Sequence, residues 1–194
     1  PQGLLEGTDA IVREVTAGGT ADDRECLDYV LHAEAGSSEQ TYQGGLKRDC
    51  DERGRVLACR TVSDGNGGKR GMRLADFVSH PSARHANLTE AHVVALRLYT
   101  TQAFHSINTP LRDKERFDRG DSYPLPVTVA LLRDALGKLR AVEADRQSAS
   151  PNTAMHRIDL YRGMKDVTAP AAFMEQGGTE LAPMSTTSNL AVAM

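Results

Sequence analysis

Residues 160–188 read LYRGMKDVTAPAAFMEQGGTELAPMSTTS. An Arg-Gly pair, Arg162 and Gly163, closes a short apolar run, and a hydroxyl cluster opens at Ser185 and Thr186. The run into the pair, 156–163, sets Ile158 and Leu160 against His156, Arg157 and Asp159, the alternation of a half-buried strand. Together the two features make sense as an anion and ribose site. A strand-end Arg offers a planar, permanently charged donor fork for phosphate or ribose oxygens. Gly lets a ligand approach the backbone closely. Ser185 and Thr186 supply short hydroxyls that can orient a carboxylate or a sugar. Separately, each is an ordinary feature: Arg-Gly ends many strands, and Ser/Thr clusters make turns.

Upstream lies a clear helical segment, NLTEAHVVALRLYTTQAFHSIN at 87–108. Asn87 and Glu90 have the spacing of a capping box. Ala91, Val94, Ala95, Leu98 and Thr101 recur at steps of three and four and form one apolar face, and Asn108-Thr109-Pro110 ends the segment. A second helix is expected over 129–144, with Leu132, Ala135, Leu136, Leu139 and Val142 as its stripe and Pro124 and Pro126 fixing its entry. Residues 146–154 read as a linker. Residues 36–71 hold many turn residues, with short strands such as 55–62 between loops. Residues 26–36 fit strand or helix, and helix around 10–15 is weakly marked. The organisation expected is an N-terminal extension of short strands and loops over 1–80, followed by a core over 81–194. The fold class is α+β, a helical lobe followed by a mixed or antiparallel sheet that starts near 156 and is incomplete.

Bulk properties narrow the function. The 194 residues suit one domain, and 40% hydrophobic content is enough for a core, built from small aliphatics since aromatics are 5% and Trp is absent. A formal net charge of −3 gives no basic field for nucleic acid. No apolar run is long enough to span a bilayer and no signal peptide is visible. Cys26, Cys50 and Cys59 lack C-x-x-C spacing and read as reduced thiols, so an intracellular, cytoplasmic setting is expected. His80, His85 and His92 are spaced five and seven apart, which does not put two imidazoles on one helical face, so no metal is expected. The stretch 63–71, SDGNGGKRG, imitates a phosphate-binding loop but has Ser63 and Arg70 where that loop needs Gly and a Ser or Thr. It reads as a hairpin or loop. Asn87-Leu88-Thr89 fits a glycosylation sequon but reads better as a helix start.

The order of these pieces resembles the Arg-Ser-Glu class of ADP-ribosyltransferases. Arg162-Gly163 stands where that family ends a first strand in Arg-Gly, and Ser185-Thr186-Thr187 where it carries Ser-Thr-Ser. Asn189 to Ala193 fits the family's following pattern of Asp or Asn and then Val-Ala. The helix before them carries Tyr99-Thr100, Phe104, Ile107-Asn108 and Leu111-Arg112, as the family's helix often does. The resemblance covers about 91–194, roughly half the chain.

It implies that Arg162 contacts a phosphate or the nicotinamide ribose of NAD. It implies that the Gly163 backbone pairs with the nicotinamide carboxamide and that Ser185 orders the ribose and a catalytic glutamate. Tyr99, Phe104, Asn108 and Thr186 would complete the cofactor-binding set. NAD would be a substrate, the acceptor a protein side chain, and no metal would take part. Two departures are mild: Thr187 replaces the last Ser of the motif, and Phe104 replaces a Tyr. The larger departure is the family's Glu, which belongs well after the Ser-Thr-Ser motif, whereas Glu175 and Glu180 precede it. The sequence therefore reads as an N-terminal portion whose sheet another segment or chain completes, and Pro1 as first residue reads as the start of a fragment or processed product. The alternative is a catalytically inactive member of the fold, kept as a binding or structural module in a larger assembly.

Overall fold

The computed structural model describes residues 7–36, 49–51, 53–148, 160–162, 171–177 and 180–186. Two helices come first among the described residues. Helix α1, Thr8–Gly18, turns Ala10, Ile11 and Val15 inward and starts at Gly7, whose φ of 94° favours glycine. Helix α2, Ala21–His32, starts in a capping box: the Thr20 hydroxyl accepts from the Asp23 amide, and the Asp23 carboxylate accepts from the Thr20 amide. Cys26, Leu27, Tyr29 and Val30 make its buried face. Residues 26–32 are thus helix, the 3.6-residue period prevailing over the β-branched and aromatic content.

The central element is α5, preceded by the short helices α3, Leu74–Ser79, and α4, Pro81–His85. Helix α5 spans Glu90–Tyr99 and packs against α1, α2, α3 and the long helix α8, Pro126–Ser148. Ala91, Val94, Ala95, Leu98 and Thr101 are all buried, as the periodicity predicts. The helix is buried more widely than one stripe, since His92, Val93 and Arg97 are inside too. Its start differs from the sequence expectation. The N-cap is Thr89, whose partner at the third helical position is His92, while Asn87 lies outside the helix at φ 49°.

The expected single helix over 87–108 is two helices. The Thr100 and Thr101 hydroxyls donate to the carbonyls of Arg97 and Leu98 and compete with the next amides for them, so α5 closes at Tyr99. The Thr101 hydroxyl then accepts from the Ala103 amide, and α6, Phe104–Arg112, begins. Pro110 does not end this helix at 108. It lies in the last turn, where its missing N–H removes one bond from an element already near its end. Helix α7, Lys114–Arg119, is capped by Asp113 and stops at Gly120 in the left-handed conformation.

Helix α8 is longer than the 129–144 stripe. Pro126 is its first residue, a position that needs no N–H donor. Its amino end is capped from a distance: the Glu14 carboxylate on α1 accepts from the Val127 and Thr128 amides at 2.6 and 2.8 Å and from the Thr128 hydroxyl at 2.6 Å. Leu131, Leu132 and Ala135 are buried, but Leu136 is 43% exposed, so the stripe leaves the core as the helix extends past α5.

The chain is helix-dominated, with one small antiparallel sheet among the described residues. Strands β1, Thr61–Ser63, and β2, Lys69–Gly71, pair with Thr61 opposite Gly71. Their turn is folded by the Asp64 carboxylate, which accepts from the Asn66 and Gly68 amides, so the imitation phosphate loop uses its own acid in place of an anion. Of the 55–62 strand expectation, only Thr61 and Val62 belong to a strand; Ala58–Arg60 is a 3-10 turn. The hairpin docks through Gly71, where a Cβ would stand 1.9 Å from the Ala35 carbonyl oxygen. Among the described residues the paired strands therefore lie in the first half of the chain. Of the expected strand at 156–163, residues 160–162 are described, with Tyr161 in an isolated bridge; the rest lies outside the described residues.

A buried polar network ties 49–60 to the helices. Asp49, 1% exposed, takes both Arg97 guanidinium nitrogens at 2.9 Å and the Tyr29 hydroxyl at 2.5 Å, with Arg60 at 3.6 Å. Burial pushes the Asp49 carboxyl up, but the Arg97 bonds and charge and the Tyr29 hydroxyl outweigh it and hold it below its ordinary value. The same burial and the Asp49 carboxylate push the Tyr29 phenol up to about 12. Arg97 also lies over the Phe77 ring, 4.4 Å from its centroid.

Candidate functional site

Helices α5 and α6 meet at Thr100–Ala103, and the break sets Tyr99 facing the first turns of α6. Asn108 follows Phe104 by one turn and Arg112 follows Asn108 by another, so the three share one face of α6. Asn108 is 3% exposed, and its amide nitrogen donates to the Tyr99 hydroxyl at 3.2 Å. Tyr99 in turn donates to the Pro183 carbonyl at 2.7 Å. Two long-range contacts therefore bring residues 180–186 onto the α5–α6 corner: this bond from the end of α5, and a fork-on-fork pair in which Arg112 Nε and Nη2 on α6 meet the two Glu180 carboxylate oxygens at 3.0 and 3.1 Å.

Arg162 joins the cluster by charge. Glu180 is held below its ordinary carboxylate range, first by the Arg112 hydrogen bonds, then by the Ala182 amide, with smaller contributions from the charges of Arg112 and Arg162. Arg112 thus pairs with Glu180 directly, and Arg162 acts on it through charge alone. Two polar atoms of the cluster are buried without a hydrogen-bond partner, Arg162 Nη1 and Asn108 Oδ1. Native structures leave few such atoms, because each costs about 1–3 kcal/mol of lost hydration. One is a donor and the other an acceptor. They suit a ligand that brings both an anionic oxygen and an amide or hydroxyl hydrogen.

The sequence candidates fall as follows. Tyr99, Asn108 and Arg162 belong to the cluster. Phe104 is half-buried at the start of α6, its ring tilted against that of His105 with centroids 3.9 Å apart. Ser185 and Thr186 are exposed, two and three residues past Pro183, so the hydroxyl pair reaches the neighbourhood of the cluster through the backbone it shares with Pro183. Gly163 and residues 187–194 lie outside the described residues. Arg112 and Glu180 carry more of the geometry than the sequence assigned to them. The i, i+4 step from Asn108 to Arg112 was the available signal; nothing local marked Glu180.

Other chemistry-bearing groups are committed elsewhere. His92 is buried, its Nδ1 accepts from the Thr89 amide and its Nε2 faces Asp134 at 2.8 Å. Burial and the Lys138 charge lower its pKa against the opposing pull of Asp134. A surface cavity of about 370 Å³ includes Cys59, Asp76 and His80 in its lining. Asp76 is engaged by Arg70, and His80 Nδ1 accepts from the Ser82 amide, so no relay links the three. No group of three or more His, Cys, Asp or Glu residues that could hold a metal occurs among the described residues. No helix among them is long and apolar enough to cross a membrane.

No protein-family model, curated protein or solved structure matches the chain.

Proposed function

We propose that the chain is an NAD-dependent protein ADP-ribosyltransferase of the Arg-Ser-Glu class, which passes ADP-ribose to a protein side chain and releases nicotinamide. One observation carries the reading. Two sequence pieces far apart in the chain act on one carboxylate: Arg112 of the helical piece pairs with Glu180 and Arg162 reaches it through charge, while Asn108 Oδ1 and Arg162 Nη1 are each buried without a partner. A dinucleotide offers what those atoms lack: pyrophosphate oxygens for the guanidinium groups and carboxamide or ribose hydrogens for Asn108 Oδ1. In this reading Arg162 and Arg112 hold the anionic bridge, and Tyr99 and Asn108 hold the nicotinamide side. Ser185 orients the ribose.

The reaction breaks the bond between ribose C1′ and the nicotinamide nitrogen, and the bond electrons leave with nicotinamide. A side-chain nucleophile of the acceptor then bonds to C1′ and gives up its proton. The oxocarbenium-like centre needs a nearby carboxylate. Glu180 is saturated by Arg112, and neither it nor Glu175 takes that role. The residues named here bind and orient NAD. The saturated Glu180 favours a second reading, an inactive module of the same fold that binds but does not transfer.

Labelled NAD separates the readings. Wild-type protein with acceptor proteins is expected to release nicotinamide, and Arg162→Lys, which loses the planar fork, to release it about 100-fold more slowly. Binding of NAD without release of nicotinamide under any condition selects the inactive module. No binding at all rejects both readings.

A further inference from the structure

We propose that residues 180–186 form an autoinhibitory strap, in which the Glu180 carboxylate holds the anion position on Arg112 until an anionic group of the ligand displaces it. The inference rests on the reading of Arg162 and Asn108 as ligand groups. Both oxygens of Glu180 lie on the Arg112 fork at 3.0 and 3.1 Å, the arrangement a phosphate would adopt, and a guanidinium fork accepts either anion. The strap also takes the Tyr99 hydroxyl through the Pro183 carbonyl at 2.7 Å. It folds back on itself by the Ala182 amide, which donates to Glu180 Oε1 at 3.0 Å.

The strap satisfies only part of the cluster. Arg112 and Tyr99 are engaged, while Arg162 Nη1 and Asn108 Oδ1 stay buried and unpartnered. A ligand that pairs all four groups outcompetes a strap that pairs two. The strap is also lightly anchored. Ala182 is its one buried residue, at 7% exposure, whereas Leu181 and Met184 are 60% and 52% exposed. Its release uncovers little apolar surface, which places it among the segments that open most readily.

Calorimetric titration of wild type and Glu180→Gln, each with inorganic pyrophosphate and with NAD, tests the strap. Glu180→Gln is expected to bind both about 3- to 10-fold tighter, the scale of a partly exposed charged pair. Glu180→Ala is expected to show the same gain. Thermal melts establish that the variants fold. In wild type saturated with pyrophosphate, hydrogen exchange at the Ala182 amide is expected to rise. Equal affinity in wild type and both variants, or Ala182 exchange unchanged at saturation, overturns the strap. If NAD binds all three equally, the strap fails and the transferase reading survives. A gain for pyrophosphate in a protein that never binds NAD supports the strap and rejects that reading. No binding of either ligand by any variant rejects both.

Discussion

Asp49 shows how one side chain sets the conditions for a region. It has 1% of its surface exposed and meets Arg97, Arg60 and Tyr29. Removing it leaves the buried Arg97 guanidinium without its counter-charge, so Asp49→Ala is expected to lower unfolding free energy by about 3–5 kcal/mol in denaturant titration. The sign with pH follows from its depressed pKa. Its contribution is complete above the ordinary carboxylate value of about 4 and is lost as pH falls through the lower folded value. Wild type is therefore expected to lose stability below about pH 4, with a shallower loss in Asp49→Asn. The polar cluster depends on single residues in the same way. Asn108 was legible from its place in the helical motif, but its unpaired Oδ1 was not, because pairing is a property of what surrounds the atom.

At the scale of elements, the helix ends carry the most information. Helix α8 begins at Pro126 with no Ser, Thr, Asp or Asn just before it; Glu14 of α1 takes the capping role from 113 residues away. Glu14→Ala is expected to cost about 1–2 kcal/mol and to be read as a lower midpoint without a change in helix content at 25 °C. A cap supplied across the fold leaves no local signature, which is why the sequence placed the start of this helix three residues late. The split between α5 and α6 was written locally, in Thr100 and Thr101, yet it was masked by an apolar period that runs through both helices. The split matters to the site. It turns α6 away from α5 and lets Tyr99 reach Asn108 and Pro183.

Across the whole molecule, α1 and α2 share one core with α5 and α8. Ile11, Val15, Leu27 and Val30 pack in the same cluster as Val94, Leu98, Leu131 and Leu132. A fragment beginning at residue 81 is expected to lose cooperative unfolding and to bind a hydrophobic dye, because the inner faces of α5 and α8 would meet water. A sharp thermal transition in that fragment would show the first eighty residues to be dispensable for folding. The hairpin, the Asp49 network and the helices are linked in the same way, through Gly71 against Ala35 and Arg97 against Asp49.

The sequence by itself determined the helical periods of α5 and α8, a turn-rich hairpin or loop at 63–71, and the places of Tyr99, Asn108 and Arg162 in a candidate site. These are local properties, set by side-chain spacing and turn chemistry within a few residues. The tertiary structure alone decided that 8–18 and 21–32 join the core, that Glu14 caps α8, and that Arg112 and Glu180 pair across 68 positions of chain. Each of those outcomes depends on which buried groups must find partners once the apolar faces have met, and that choice is made between segments distant in sequence.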